Sequence, residues 1–271
     1  MVELADNVAV VTGAARGQGR SHALALAAEG ADIIAVDRCA DIDSIPYPLA
    51  TRADMDETVD MVKAAGRRVV PVVADVRDLG GLRSGVQEGV EELGDVGIVV
   101  ANAGVVAIGR KDPLDVQLYR DIVDTNLNGV WHTIAATVPS MIRRGRGGSI
   151  ILVSSMAGLV GRGGDGSAAM FAYTASKHGV VGLMRSAAHA YAEHSIRVNS
   201  VHPTGVISPM TANDYMMTAM QDNPSSLSGN LLPVPCVEPE DVTNAVVWLA
   251  GPKSRYVTGA TLPVDAGHAV M

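Results

Sequence analysis

Seven short runs of Val, Ile and Leu punctuate the chain, at Val8–Val11, Ile33–Val36, Val69–Val73, Ile98–Val100, Ile150–Val153, Val198–Val201 and Thr261–Val264. They are continuous rather than alternating, which is the pattern of strands buried on both faces of a parallel sheet. Between them lie Ala-rich segments of helical period, near 18–29, 55–65, 79–93, 115–143, 172–194 and 239–250. This alternation predicts an α/β fold, a doubly wound parallel sheet of about seven strands with helices on both faces. No linker, repeat or charge run divides the chain, so residues 1–271 read as a single domain. Segments 115–143 and 172–194 carry Ala, Val and Met on more than one face, which predicts burial by something besides their own sheet. Trp131 and Trp248 read as anchors in the core or at subunit contacts.

Two stretches break the alternation. Residues 40–54 contain Pro46 and Pro48 and exceed the usual βα loop of about 2–6 residues. Residues 204–238 combine several prolines with a Met-rich piece, Met210 to Met220. They read either as a mobile surface excursion or as a lid or pocket wall, for which Met offers an adaptable apolar surface.

Composition narrows the class. With 48% hydrophobic and 18% charged residues the chain has enough apolar content to fold. A net charge of −8 argues against nucleic acid or an anionic membrane as partner. The start, Met1 to Asp6, lacks the basic and apolar segments of a signal peptide, and no apolar run reaches the roughly 18 residues of a membrane span. A cytoplasmic location is expected. Cys39 and Cys236 make neither a disulfide framework nor a metal spacing, and the histidines are not paired with carboxylates in a way that demands a metal, so none is expected.

The candidate chemistry begins after the first strand. Gly13, Gly17 and Gly19, in the run Thr12 to Gly19, sit where a helix opens; such glycines let a pyrophosphate approach the main chain at a helix N-terminus. Asp37 ends the second strand, 18 residues after Gly19. A carboxylate there accepts hydrogen bonds from the adenosine ribose and repels a 2′-phosphate, favouring NAD over NADP. Arg16 and Arg38 pull the other way, because guanidinium groups near the ribose can hold a phosphate. Tyr173 and Lys177 lie at i and i+4 on one helix face. Chance alone would produce a Tyr-x-x-x-Lys about 0.09 times in this composition. A phenol with an ordinary pKa near 10 needs roughly 4 kcal/mol of help to act as a base three units lower, and a desolvated Lys with a nicotinium charge could supply it. Ser154 and Ser155 end the strand Ile150–Val153, where α/β sheets bind ligands.

These motifs, in this order, resemble the short-chain dehydrogenase/reductase family over nearly the whole chain. They are Thr12 to Gly19, Asp75-Val76, Asn102-Ala103-Gly104, Asn126, Ser155, Tyr173 with Lys177, and His202-Pro203-Thr204-Gly205. The resemblance implies a Rossmann fold, hydride transfer between a secondary alcohol and a nicotinamide cofactor, and a homotetramer. It gives Tyr173 the general acid/base role, Ser155 the hydrogen bond to the substrate oxygen, Lys177 the nicotinamide ribose and the lowering of the Tyr173 pKa, and Asn126 a water in the proton relay. Gln18 belongs with the phosphate loop; Asp75 and Val76 would face the adenine, and Asn102 to Gly104 would support the sheet and the ribose. Backbone at Pro203, Gly205 and Val206, with Ser208, would hold the carboxamide. Ser155 and Tyr173 are 18 apart, longer than the family's usual separation; the extra residues fall in Gly161 to Gly166, placed at the substrate mouth.

The continuation Arg16 to Ala23, the run Gly30 to Asp37, the insertion 40–54 and His202 to Val206 resemble a narrower, actinobacterial subgroup, the carveol-dehydrogenase-like or mycofactocin-coupled dehydrogenases. That resemblance implies a NAD that stays bound and is reoxidised by a peptide-derived redox carrier, with a small apolar alcohol or ketone as substrate. Alternatives stay open: 40–54 as a decorated loop with freely exchanging NAD(P)H in a carbonyl reductase, or a catalytically silent nucleotide-binding regulator.

Overall fold

The computed structural model describes residues 3–108, 112–161, 164–222 and 229–271. Seven strands, β1 (Val8–Thr12), β2 (Asp32–Asp37), β3 (Val69–Val73), β4 (Val96–Ala101), β5 (Gly148–Val153), β6 (Ile196–Pro203) and β7 (Thr261–Val264), form one sheet. Their order is β3-β2-β1-β4-β5-β6-β7, and every pairing is parallel. The helices are α1 (Gly17–Ala28), α2 (Arg52–Ala64), α3 (Leu79–Leu93), α4 (Val116–Val123), α5 (Gly129–Arg144), α6 (Ala168–Ala190), α7 (Asp214–Asp222) and α8 (Pro239–Ala250).

The two-residue period of the strands sorts their side chains into two cores. Ala9, Val11, Ile33, Ala35 and Ile151 pack with residues of α1, α2 and α8. Val10, Ile34, Val36, Ile150 and Leu152 pack with residues of α3, α5 and α6. Burial on both faces is why these runs are uninterrupted in the sequence. β1 pairs with β2 on one side and β4 on the other, so the chain reverses its direction of growth there. That reversal leaves a crevice at the C-terminal ends of β1 and β4, where open α/β sheets bind ligands.

Three departures from expectation have local causes. The single helix expected over 115–143 is α4 and α5 joined by a π-helical turn, Asp124–Asn128, which carries the fully buried Asn126. α6 begins at Ala168 rather than 172, because the Ser167 hydroxyl accepts the Met170 N–H at 3.2 Å and itself bonds Asp165 at 2.6 Å. The stretch 204–238 holds a helix, α7, that the prolines obscured. Residues 223–228 of that stretch, 162–163 of the glycine-rich loop, and Met1 and Val2 lie outside the described residues. Trp131 and Trp248 are 49% and 40% exposed, which removes the reading of core anchors. Among the described residues no helix is long and apolar enough to cross a membrane.

Candidate active site

The β1–α1 turn is shaped by glycine where no other residue fits. Gly13 has φ +69°, in the left-handed region, and a Cβ on it would stand 2.9 Å from the Asn102 amide nitrogen. A Cβ on Gly19 would collide with the Gly13 carbonyl. The turn is braced from β4: Asn102 Nδ2 donates to the Thr12 carbonyl at 3.0 Å, and the Thr12 hydroxyl accepts the N–H groups of Asn102 and Ala103 at 3.0 and 3.1 Å. The groove above this turn is lined by the phosphate loop (Gly13, Arg16 to Gly19), Asp37 with Arg38, Asp75 with Val76, Asn102 to Gly104, and Ser208.

Asp37 accepts the N–H groups of Ala15 at 3.2 Å and Cys39 at 3.1 Å. Burial pushes its carboxyl above the usual range, and those backbone donors and Arg16 pull back. Segment 40–54 is no loose loop. Ile42, Ile45 and Tyr47 are buried in a third core with Val105, Leu118, Met170 and Met216. Ser44 donates to Asp121 at 2.8 Å, Arg16 to the Pro48 carbonyl at 2.6 Å, and the Val106 N–H to the Tyr47 oxygen at 3.2 Å. Ile42, Tyr47, Leu49 and Ala50 thereby form one wall of the groove.

At the inner end of the groove α6 carries Tyr173 and Lys177. Lys177 Nζ donates to the Val153 carbonyl at 3.0 Å and lies 5.7 Å from the centre of the Tyr173 ring. Burial lowers its pKa to about 8. Burial raises that of Tyr173, and a hydrogen bond from the Ser155 hydroxyl opposes the rise. Of the paired serines, Ser154 donates instead to the Lys177 carbonyl at 2.9 Å, so Ser155 is the one that meets the phenol. Ser155 is held through its backbone: its carbonyl is 2.8 Å from His202 Nδ1, and His202 Nε2 is 2.8 Å from the Ser200 hydroxyl. The Asn126 amide pairs with Val105, accepting its N–H and donating to its carbonyl, both at 2.8 Å. Gly104 leaves the space in which Asn126 and Lys177 approach each other, its missing Cβ being 3.3 Å from Asn126 Oδ1 and 3.6 Å from Lys177 Nζ.

Ser155 and Tyr173 also open onto a second cavity, of about 450 Å³, whose walls include Val106, Met156, Met170, Met210, Met216 and Met220. A carbonyl or alcohol seated there would meet Tyr173 and Ser155, and Tyr173 lines the groove as well.

A family model described as short chain dehydrogenase matches residues 7–218. The chain belongs to the short-chain dehydrogenase family. It is 45% identical over 278 residues to (-)-trans-carveol dehydrogenase of Rhodococcus erythropolis, covering 98% of this chain and 99% of that one. Among solved structures, it is similar to carveol dehydrogenase from Mycobacterium avium in complex with NAD, with a TM-score of 0.92, 46% identity and 99% of each chain covered. A short chain dehydrogenase from Mycobacterium paratuberculosis bound to NAD gives a TM-score of 0.91 at 47% identity, covering 99% of this chain and 100% of that one.

In this short-chain dehydrogenase most residues singled out from the sequence converge, with differences at the edges. Pro203, Gly205 and Val206 line the methionine cavity and not the groove. Asn126 is buried and lines neither. Of the loop Gly161 to Gly166, Asp165 holds Ser167, the residue that caps α6, and none of its described residues lines either cavity. Tyr47 and the ring of His202 were missed. For Tyr47 a signal existed, an aromatic between two prolines in a segment already too long for a loop. For His202 there was none, since its partner Ser155 is 47 residues away.

Proposed function

We propose that this dehydrogenase interconverts a small apolar secondary alcohol and its ketone, using NAD bound in the groove. The observation that carries the reading is the placement of Tyr173: it shares the groove with Lys177 and the methionine-walled cavity with Ser155. The residues present fit a dinucleotide. The glycine turn leaves room for phosphate against the main chain, and Asp37 stands at the end of β2, where a ribose would bond it. Gln18 Oε1 and Thr125 Oγ1 border the groove, buried with no hydrogen-bond partner among the described residues. Buried polar atoms of that kind cost about 1–3 kcal/mol each unless a ligand meets them.

In the oxidative direction Tyr173 takes the proton from the alcohol oxygen while Ser155 donates a hydrogen bond to the same oxygen. Bound NAD supplies a hydride acceptor at nicotinamide C4. Lys177 spends one of its donors on Val153 and keeps others for the nicotinamide ribose; its charge favours the phenolate form of Tyr173. Asn126 fixes the Val105 backbone beside Lys177 and would hold a relay water there. The methionine walls accept an apolar substrate of variable shape.

Segment 40–54 acts as a strap that slows NAD release, its buried Ile42, Ile45 and Tyr47 tying it across to α4, α6 and α7. A nucleotide that does not leave must be reoxidised in place by an external acceptor, for which a peptide-derived redox carrier is the candidate. Half-exposed apolar side chains on α4, α5 and α6 suit a homotetramer, and a cytoplasmic setting agrees with an NAD-linked reaction.

The test is Tyr173→Phe, assayed with carveol as a probe secondary alcohol and an artificial electron acceptor. Turnover is expected to fall by at least about 10³-fold, while nucleotide released on denaturation, measured by mass spectrometry, stays near the parent's amount. Undiminished turnover would overturn the role of Tyr173.

A further inference from the structure

Arg16 and Arg38 both border the groove beside Asp37. A guanidinium free at the ribose 2′ position would bind a 2′-phosphate through paired, charge-assisted hydrogen bonds and so admit NADP. Neither is free. Arg16 donates to the Pro48 carbonyl of the strap at 2.6 Å. Arg38 Nη1 is ion-paired with Asp75 Oδ2 at 3.2 Å and, buried, has no hydrogen-bond partner among the described residues, so it is charge that draws it to Asp75. Asp75 is itself fixed: the Arg77 N–H donates to its Oδ1 at 2.9 Å, and Arg77 Nε and Nη2 donate to its Oδ2 at 3.0 and 2.8 Å. Arg77 has a second carboxylate partner in Asp121 of α4.

We infer that Asp75 selects the cofactor: it draws the Arg38 guanidinium away from the 2′ position and so denies a 2′-phosphate its counter-charge. This rests on the groove holding the adenosine half as proposed above. Asp37 rejects the phosphate directly, and Asp75 does so at one remove, by occupying the side chain that would otherwise reward it. If Asp75 loses its charge, Arg77 stays on Asp121, and Arg38 is the guanidinium released. Because Asp37 remains, the effect is a shift in the ratio of NADP to NAD affinity rather than a full reversal.

Calorimetric titration of the protein, stripped of nucleotide over charcoal, with NAD⁺ and with NADP⁺ tests this. In Asp75→Asn the NADP⁺-to-NAD⁺ affinity ratio is expected to rise about tenfold, the scale of one charge-assisted phosphate contact. In the Arg38→Ala/Asp75→Asn double variant it should return to the parent value, and Arg38→Ala alone should leave it unchanged. An unmoved ratio in Asp75→Asn would overturn the inference. So would a rise that survives loss of Arg38, which would mean that Asp75 repels the phosphate through its own charge. Should Asp75→Asn not fold, Arg38→Ala decides alone: a fall in relative NADP⁺ affinity would show a guanidinium already serving the phosphate and overturn the inference. The underlying reading has its own control, since an Asp37→Ala protein with an unaltered ratio would remove the ribose from this groove.

Discussion

Burial acts in opposite directions on the two titrating groups of α6, raising the Tyr173 phenol and lowering the Lys177 ammonium to about 8. Both shifts favour the neutral form, so each group resists the charge it would carry in catalysis until a partner arrives. The consequence for stability has a definite sign. Below about pH 8 Lys177 is protonated in folded and unfolded chains alike; between about 8 and its ordinary 10.5 the unfolded chain holds a proton that the folded chain gives up. Stability contributed by this site therefore rises with pH across that window. Tyr47, pushed up to about 12, and Tyr173 act the other way above their ordinary 10, which limits the useful range to pH 7–10. For nucleotide-stripped protein, the unfolding free energy of the parent relative to Lys177→Met is expected to increase by about 2 kcal/mol between pH 7 and 10. Urea unfolding at several pH values measures it, and a flat difference would show that Lys177 is not desolvated. At this scale the sequence was legible where spacing along one helix decides the geometry, as for Tyr173 and Lys177. It was silent where a contact joins distant strands, as for His202 and the Ser155 carbonyl.

The elements differ in how openly their residues announce them. The strands were readable because burial on both faces demands unbroken apolar runs. The π turn at Asp124–Asn128 was not, because the apolar period continues through it and no proline or glycine precedes Gly129 to mark the extra residue. Its packing shows what the turn accommodates: a Cβ on Gly129 would lie 2.6 Å from Val76 Cγ2, so α5 rests against the residue that borders the groove. The strap is an intermediate case. Its length and prolines marked it as unusual, but its anchors on α4, α6 and α7 are long-range and could not be read locally. Its grip depends on apolar contacts, and truncating a buried aromatic typically costs about 3–5 kcal/mol. Tyr47→Ala should therefore loosen the strap more than the rest of the fold. Exchange of protein-bound NAD against isotopically labelled NAD, followed by mass spectrometry, is expected to be slow in the parent and at least about tenfold faster in the variant. Fast exchange in the parent, or equal rates in both, would remove the strap from cofactor retention.

For the whole molecule, the sheet order follows from one reversal at β1, and it gathers the ends of β1, β2, β4 and β5 with α6 around a single crevice. What a single chain leaves unresolved is the outer face. Val116 at 55%, Trp131 at 49% and Phe171 at 63% exposure are large apolar groups on α4, α5 and α6. The sequence pointed to burial by something beyond the sheet over 115–143 and 172–194, which hold Val116 and Trp131 and stop one residue short of Phe171; among the described residues these side chains find no cover. Single exposed apolar residues are ordinary, but several on adjoining helices of a chain with 18% charged residues favour association. Val116 and Tyr119, three apart on α4, share one side of that helix. A stable contact needs roughly 1,000 Å² or more of complementary surface, and a twofold axis would set two such faces against each other. Sedimentation velocity of the parent is then expected to show one species of four chains, each of 28.0 kDa. Trp131→Glu and Phe171→Glu should each move the population toward smaller species, since a charge buried at an interface without a partner costs several kcal/mol. A parent that sediments as a monomer would remove the tetramer and leave these side chains exposed for another reason. A smaller Trp131→Glu species that still binds NAD would show that the groove is complete within one chain and that the assembly is built around it.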